Sequence, residues 1–307
     1  MGSPRTNEDL FAAAGRYGYL HPSYAESFVE AGEVRHLRRS GGWVLTRAIP
    51  DSERRDALVG YPRLVAREPR GLREDLQAIA ALADVVTVSA VTDPLSTLDE
   101  ELLRPSFPDV VRVDAQHYVV DLVSFWPARD HRRAARAALR LIDVEVEDAP
   151  ADLVAGWEAL GGAGLPGTEL GLSAESLARG LALPGCVAFR ALADDGPLAL
   201  AVVYLSGDDA TLHAMASSAA GEAAGARFAL MQTIVEDMAG RGLRALDLGS
   251  AEADPAFFDG WTDDLRPSYR CGRIVDRVAY DELVAAAGAA GSAVFPAYRD
   301  PAARLGR

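Results

Sequence analysis

Of the side chains able to move a proton near neutrality, His213 stands out by its place. It lies in the middle of Ala210–Ala216 (ATLHAMA), the third of three strand-like runs that come close together along the chain. A histidine there is either hydrogen-bonded on one face of a strand or acts as general base or substrate contact, since its ordinary pKa sits near pH 7. Asp247 and Glu252 flank the turn DLGSAE at the end of a later strand, a position where α/β sheets present ligands. Asp247 either caps the turn at Gly249 or joins the chemistry, Glu252 reads as functional, and Ser250 reads as a turn residue.

Further along, Tyr269 and Arg270 precede a strand holding Arg273. Either guanidinium would grip a carboxylate or phosphate bidentately, or pair with one of the many acids. His117 and Asp121 share one face of a strand; the reading is a structural histidine and an aspartate that caps the next helical region. Arg129, Arg132, Arg133, Arg136 and Arg140 recur at three- and four-residue steps, which gathers them near one helical face. That face is either simply solvated or a phosphate contact. Trp261, Phe295 and Tyr298 read as packing residues.

Composition bounds these options. The chain has 307 residues, 49% apolar and 25% charged, the composition of a globular protein and not of a fibrous, disordered or disulfide-scaffold one. Forty-five acidic against 31 basic residues give −14, and every basic side chain other than histidine is arginine. A general binder of nucleic acid, DNA included, is therefore disfavoured, while a local arginine groove remains open. Cys186 and Cys271 lack ligand spacing, which predicts reduced thiols, no metal and a cytoplasmic protein. Met1–Leu10 lacks a leader pattern and no 18 apolar residues run together, so neither secretion nor a membrane is expected.

The elements that must hold these residues are read from periodicity. A short helix at His21–Gly32 precedes strands at Glu33–Arg38, Trp43–Ile49 and Ala57–Arg67, then a helix over Gly71–Ala83 and strands at Asp84–Val91 and His117–Val123. An arginine-rich helix, Ala128–Leu141, opens the second half, and a strand comes after it at Val144–Glu147. Two helices are next, the first with Leu153, Val154, Trp157 and Leu160 on one face and the second capped by Ser173, separated by the loop Gly161–Gly167. Strands Cys186–Ala193 and Leu198–Leu205 join through Asp194-Asp195-Gly196-Pro197 and lead to Ala210–Ala216. The small-residue stretch SSAAGEAAG reads as a loop. A helix at Ala226–Ala239, with Met231, Ile234, Val235 and Met238 on one stripe, and a strand at Leu243–Leu248 complete the pattern.

Three antiparallel strands, a loop of small residues, an amphipathic helix and one more strand are similar to the core of the GNAT acyltransferases. The chain resembles the FemAB-like and BioF2-like branch of that superfamily, through Gln116–Leu122 (QHYVVDL), Asp130–Ala138 (DHRRAARAA), Leu243–Gly249 (LRALDLG), Phe257–Trp261 (FFDGW), Tyr269–Asp276 (YRCGRIVD) and Phe295–Arg299 (FPAYR). The resemblance implies an α/β fold of mixed sheets in two tandem GNAT-like lobes, expected at 1–125 and 126–307 with the active site in the second. It implies transfer of an acyl or aminoacyl group from an activated carrier to an amine seated between the lobes. Fem-type members take aminoacyl-tRNA and other GNAT members acyl-coenzyme A, with no permanently bound cofactor.

Carried over by position, His213, Glu252, Asp247 and Tyr269 become catalytic candidates. Ser217, Ser218, Gly221, Gly225, Arg227, Arg270 and Arg273 become carrier contacts, and Arg132, Arg133 and Arg136 RNA contacts. The chain departs from the pattern twice. Ser218–Ala223 keeps only the small residues of the coenzyme A loop and puts Glu222 beside a pyrophosphate, and Phe258 stands where the resembling string has lysine. The altered loop and the arginine helix together favour aminoacyl-tRNA as donor, with a small amine, such as one of secondary metabolism, as acceptor. The alternatives are an acyl-coenzyme A-dependent N-acetyltransferase and a non-catalytic GNAT-like binding module.

Overall fold

The protein was analysed as a computed structural model that describes residues 17–150, 152–162, 165–194 and 196–305. Met1–Leu10, Asp195 of the expected hairpin turn, and Ala163 and Gly164 of the expected loop lie outside the described residues. In chain order the elements are α1 (Pro22–Glu26), β1 (Glu33–His36), β2 (Trp43–Ala48), β3 (Arg55–Val59), α2 (Leu72–Ala80), β4 (Val85–Val91), α3 (Glu100–Leu103) and β5 (Val110–Asp121). Next are α4 (Arg129–Ala138), β6 (Asp143–Asp148), α5 (Leu153–Ala159), α6 (Ala174–Leu181), β7 (Cys186–Ala193), β8 (Gly196–Ser206), β9 (Asp209–Ser217), α7 (Ala219–Ala224), α8 (Ala226–Gly240), β10 (Ala245–Ser250), α9 (Pro255–Phe258), β11 (Leu265–Ile274), α10 (Arg277–Ala287) and α11 (Pro301–Leu305). The class is mixed α/β, as expected.

A single cut near residue 125 does not divide the chain. One compact unit joins Met1–Glu30 to Ala115–Arg266, and the other joins Ala31–Asp114 to Pro267–Arg307. The reason is physical: the tyrosine-rich segment near residue 20 finds its apolar partners in the second half of the sequence, and the C-terminal strand finds its hydrogen-bond partner in the first.

In the unit built on residues 31–114 and 267–307, strands run in the order β1-β2-β3-β4-β11. β3 and β4 are parallel, so a crossover must join them, and α2 supplies it by burying Leu72, Leu76 and Ile79. Asp75 on the same helix is buried and accepts from the Arg39 and Ser40 amides and the Ser40 hydroxyl at 2.7 to 3.2 Å, which pins the preceding loop. Asp56 is 1% exposed and is held by Arg47 at 2.8 Å and Arg299 at 2.7 Å, so the C-terminal segment is locked by a buried carboxylate shared between two guanidiniums. The strand expected over Ala57–Arg67 stops at Val59, ahead of the cis Tyr61-Pro62 bond.

In the unit built on residues 1–30 and 115–266, the order is β5-β10-β9-β8-β7-β6, with β9 and β10 parallel and the remaining neighbours antiparallel. Helix α8 makes the crossover between the parallel pair and buries Met231, Ile234, Val235 and Met238, the stripe that the spacing predicts. Helix α4 turns Ala135 and Ala138 inward, and both join the same core as α8. The stretch expected as a loop is in part helix: Ser218 caps α7 by accepting from the Gly221 amide at 3.0 Å, and Gly225, at φ +73°, breaks α7 from α8. Among the described residues no helix is long and apolar enough to cross a membrane.

Candidate active site

The site forms where β9 parts from its parallel neighbour. β9 stays paired with β8 from Asp209 to Ser217, whereas its ladder with β10 ends after three residue pairs, at Thr211 and Asp247. Beyond that point β10 stays with β5 instead, and the β10-facing edge of Leu212–Ser217 lies outside the ladder. An edge of amide N–H and C=O groups leaving a sheet in this way is able to hold an extended ligand by main-chain hydrogen bonds.

A β-bulge falls at the start of that edge. Val202 pairs with Ala214 and Val203 with Leu212, so His213 is the extra residue and its side chain is re-aimed by the kink. Its Nδ1 lies 2.9 Å from the Tyr19 hydroxyl. The Tyr204 ring stands perpendicular to the imidazole with centroids 5.0 Å apart, and Tyr19 and Tyr24 pack against Tyr204 at 5.1 and 5.5 Å. Burial pushes the Tyr204 phenol well above its ordinary pKa, so it stays protonated and donates to the Gly180 carbonyl. The imidazole is thus clamped by aromatic rings and a hydroxyl. When Nδ1–H donates to Tyr19, the Nε2 lone pair is the basic one.

Two cavities meet at His213. One is a slot of about 10 Å³, room for a single water, walled by Tyr24, Phe28, Leu177, Gly180 and Tyr204. The other is an open cleft of about 380 Å³ along Ala214–Ser217, with Trp157 and Pro166 opposite. Among the described residues its lining carries no ionisable group besides the histidine, so the cleft suits an uncharged portion of a substrate.

The expected carrier residues divide by environment. Ser217 ends β9 and lines the cleft; Ser218 is committed to capping α7. Gly221 is required by packing, because a Cβ there would lie 2.2 Å from the Leu198 carbonyl oxygen. Gly221→Ala is expected to cost about 2 kcal/mol of stability through that backbone overlap, read as a lowered urea midpoint at unchanged m value. Arg227 stacks 4.1 Å over the Phe257 ring and pairs with Asp254 at 2.5 Å and Glu222 at 3.8 Å. One guanidinium between two carboxylates leaves no surplus positive charge for a pyrophosphate.

Other candidates also turn out to be engaged elsewhere. Asp247 is fully buried, with one oxygen 3.1 Å from His117 Nδ1 and accepting from the Gly249 amide at 2.9 Å. It caps the turn and holds the buried histidine, the structural one of its two readings. Glu252 is exposed in the turn after β10 and its amide donates to Ser250. Tyr269, Arg270 and Arg273 belong to the other compact unit, on β11 against β4. There Tyr269 packs on the hydrophobic cluster and Arg270 pairs with Asp114 at 2.6 Å, so neither is placed with His213 by its own unit. Asp121 accepts from the Ser124 hydroxyl and the Val123 amide, which hold its carboxyl below the usual range.

Neither cysteine offers a nucleophile: burial pushes the Cys186 thiol far up and that of Cys271 up to about 12. Sequence reasoning missed Tyr19, Tyr204 and Trp157 as site residues. Tyr204 alone carried a signal, being a large polar-tipped side chain in an otherwise aliphatic strand.

On α4 the inward alanines leave the arginines outside. Arg129, Arg132, Arg133, Arg136 and Arg140 line one groove of about 440 Å³, and among the described residues none of the five pairs with a carboxylate. In a chain of net charge −14 such a cluster is surplus positive charge concentrated on one face of an acidic protein.

No family model matches the chain, and no curated protein sequence does. Solved structures do. FemX superposes with a TM-score of 0.65 at 13% identity over 91% of this chain and 98% of its own. L-PGS from Bacillus licheniformis gives 0.52 at 16% identity over 85% and 94%, and a C-terminal DUF2156 domain from Agrobacterium fabrum gives 0.51 at 15% over 85% and 90%. The chain therefore shares the fold of FemX and of these two domains, in line with the FemAB-like resemblance of its sequence motifs.

Proposed function

We propose that the chain is an acyltransferase that moves an aminoacyl group from aminoacyl-tRNA to the amine of a small acceptor beside His213. The observation that carries the donor is the unpaired arginine groove of α4 in an acidic protein, set against a loop before α8 whose one arginine is already neutralised. Phosphates of an RNA backbone meet surplus guanidinium charge only at the former.

The chemistry asks for orientation, a base and an oxyanion donor. The acceptor ammonium gives a proton to His213 Nε2 and its nitrogen attacks the ester carbonyl. A C–N bond forms as the carbonyl becomes an oxyanion, which an amide of the unladdered β9 edge would stabilise. The ester C–O bond then breaks, His213 returns its proton to the departing ribose oxygen, and the nitrogen releases its second proton to water in the open cleft, leaving a neutral amide. Tyr19 and Tyr204 keep the imidazole aimed throughout, and the uncharged cleft takes the aminoacyl side chain.

A second reading, acyl-coenzyme A as donor, draws on the same open β9 edge, which would also hold the amides of a pantetheine arm. The two part company on charge. Arg132→Ala with Arg133→Ala is expected to weaken binding of charged tRNA about tenfold in a filter assay and to reduce the salt slope by about 2, at unchanged folding. Equal affinity of the double variant would remove α4 from the binding surface. Stabilisation by acetyl-coenzyme A of about 2.7 kcal/mol at 100 times its Kd, with none from charged tRNA, would select the second reading.

A further inference from the structure

The link between β5 and α4 fixes one side chain outward by fixing its neighbours inward. Phe125 stacks on the Trp261 indole with centroids 6.2 Å apart and planes 10° from parallel. Pro127 is buried, and the Ala128 amide donates to the Gly260 carbonyl at 2.8 Å. One turn on, His131 Nε2 lies 2.9 Å from the Phe257 carbonyl oxygen and its ring meets Trp261 edge-on at 5.5 Å. Trp126, held between these anchors, is 75% exposed.

An indole is one of the largest apolar surfaces that a protein can bury, and here a rigid segment holds it in water. Its partner is Arg132, whose guanidinium carbon lies 4.3 Å from the ring centroid. Arg132 also lines the five-arginine groove, so the exposed indole and the groove are one continuous surface on a single unit. A flat aromatic ring beside a row of guanidiniums matches the two chemistries of a single nucleic-acid strand, planar bases and charged phosphates, at neighbouring points.

We propose that Trp126 is a stacking platform for an unpaired base of an RNA strand whose phosphates lie along Arg129–Arg140. The inference rests on the RNA-donor reading and adds to it: α4 would distinguish a strand with a free base from a fully paired helix. Duplex RNA keeps its bases stacked on one another and offers α4 only its phosphates, whereas a single-stranded end has a base to give. A lipid surface would also meet arginine and tryptophan. The groove is concave and edged by a guanidinium stacked on the indole, a shape suited to a ribose-phosphate chain more than to a bilayer plane.

The test compares fluorescein-labelled single-stranded RNA with a blunt RNA hairpin of equal charge whose two strands are joined by a base-free ethylene-glycol linker, by anisotropy, on the full chain and on Trp126→Ala, Trp126→Phe and the Arg132→Ala, Arg133→Ala pair. Trp126→Ala should lose about tenfold on the single strand, the worth of one stacked base, and nothing on the hairpin; Trp126→Phe should keep most of the affinity. The arginine pair should lose on both probes. Unchanged single-strand affinity in Trp126→Ala, or an equal loss on the hairpin, overturns the platform while leaving the arginine groove standing. Failure of the unaltered chain to bind either probe at low salt overturns both readings. A Trp126-dependent affinity for anionic phospholipid vesicles without one for RNA overturns the platform in favour of a membrane surface.

Discussion

Replacing His213 with alanine is expected to slow aminoacyl transfer by about 10² to 10⁴-fold, the usual contribution of a positioned general base, while tRNA affinity stays within about twofold. The split comes from position. His213 is the bulged residue at which β9 leaves its parallel partner, and it borders the cleft, whereas the arginines proposed to hold the carrier line the separate groove along α4. Tyr19→Phe sharpens the test, because it removes the hydroxyl 2.9 Å from Nδ1 and keeps the ring that packs on Tyr204. It should cost about tenfold in kcat with little change in KM, the effect of one lost orienting hydrogen bond. The measurement is release of labelled amino acid from charged tRNA under single-turnover conditions. Full activity in His213→Ala would leave chemistry to desolvation and alignment alone.

Asp247→Ala is expected to lower the unfolding free energy by about 3 kcal/mol, the scale measured when one partner of a buried polar pair is deleted. Asp247 is fully buried and His117 is 5% exposed, so water cannot replace what is lost. The substitution takes an acceptor from the His117 ring at 3.1 Å and from the Gly249 amide at 2.9 Å. The first ties β5 to β10 and the second holds the bulge within β10, both at the level where β10 abandons β9. Asp247→Asn keeps an acceptor in place and should lose about half as much. Equilibrium urea unfolding gives both values, and a stability equal to that of the unaltered chain in Asp247→Ala would contradict the structural role assigned to the pair.

What the sequence made legible was local. The β7–β8–β9 meander, α8 and its apolar stripe, and β10 succeed one another along the chain, and each has a periodicity of its own. The place of His213 in the third strand was readable for the same reason, but its bulge was not, because a bulge is a register between strands that no single strand records. The run SSAAGEAAG misled by its glycines: alanine's helix propensity and the Ser218 cap carry α7, and Gly221 serves close packing on Leu198. Tyr269, Arg270 and Arg273 had suitable chemistry, and only pairing across the chain assigns them to β4's side of the fold. Arg227 looked available until Asp254 and Glu222 met it, since ion pairing depends on neighbours distant in sequence. Trp126 carried no signal at all, as exposure is a property of the surroundings.

The hydroxyl that orients His213 comes from a residue 194 positions earlier. During synthesis Gly18–Phe28 leaves the ribosome well before its docking surface, which does not exist until β8 and β9 have been made. The whole of β1 to β4 can assemble in the interval while this aromatic clasp waits outside. Its closure then waits on strands made much later, and a newly made molecule would acquire part of its shape before it acquires its competence.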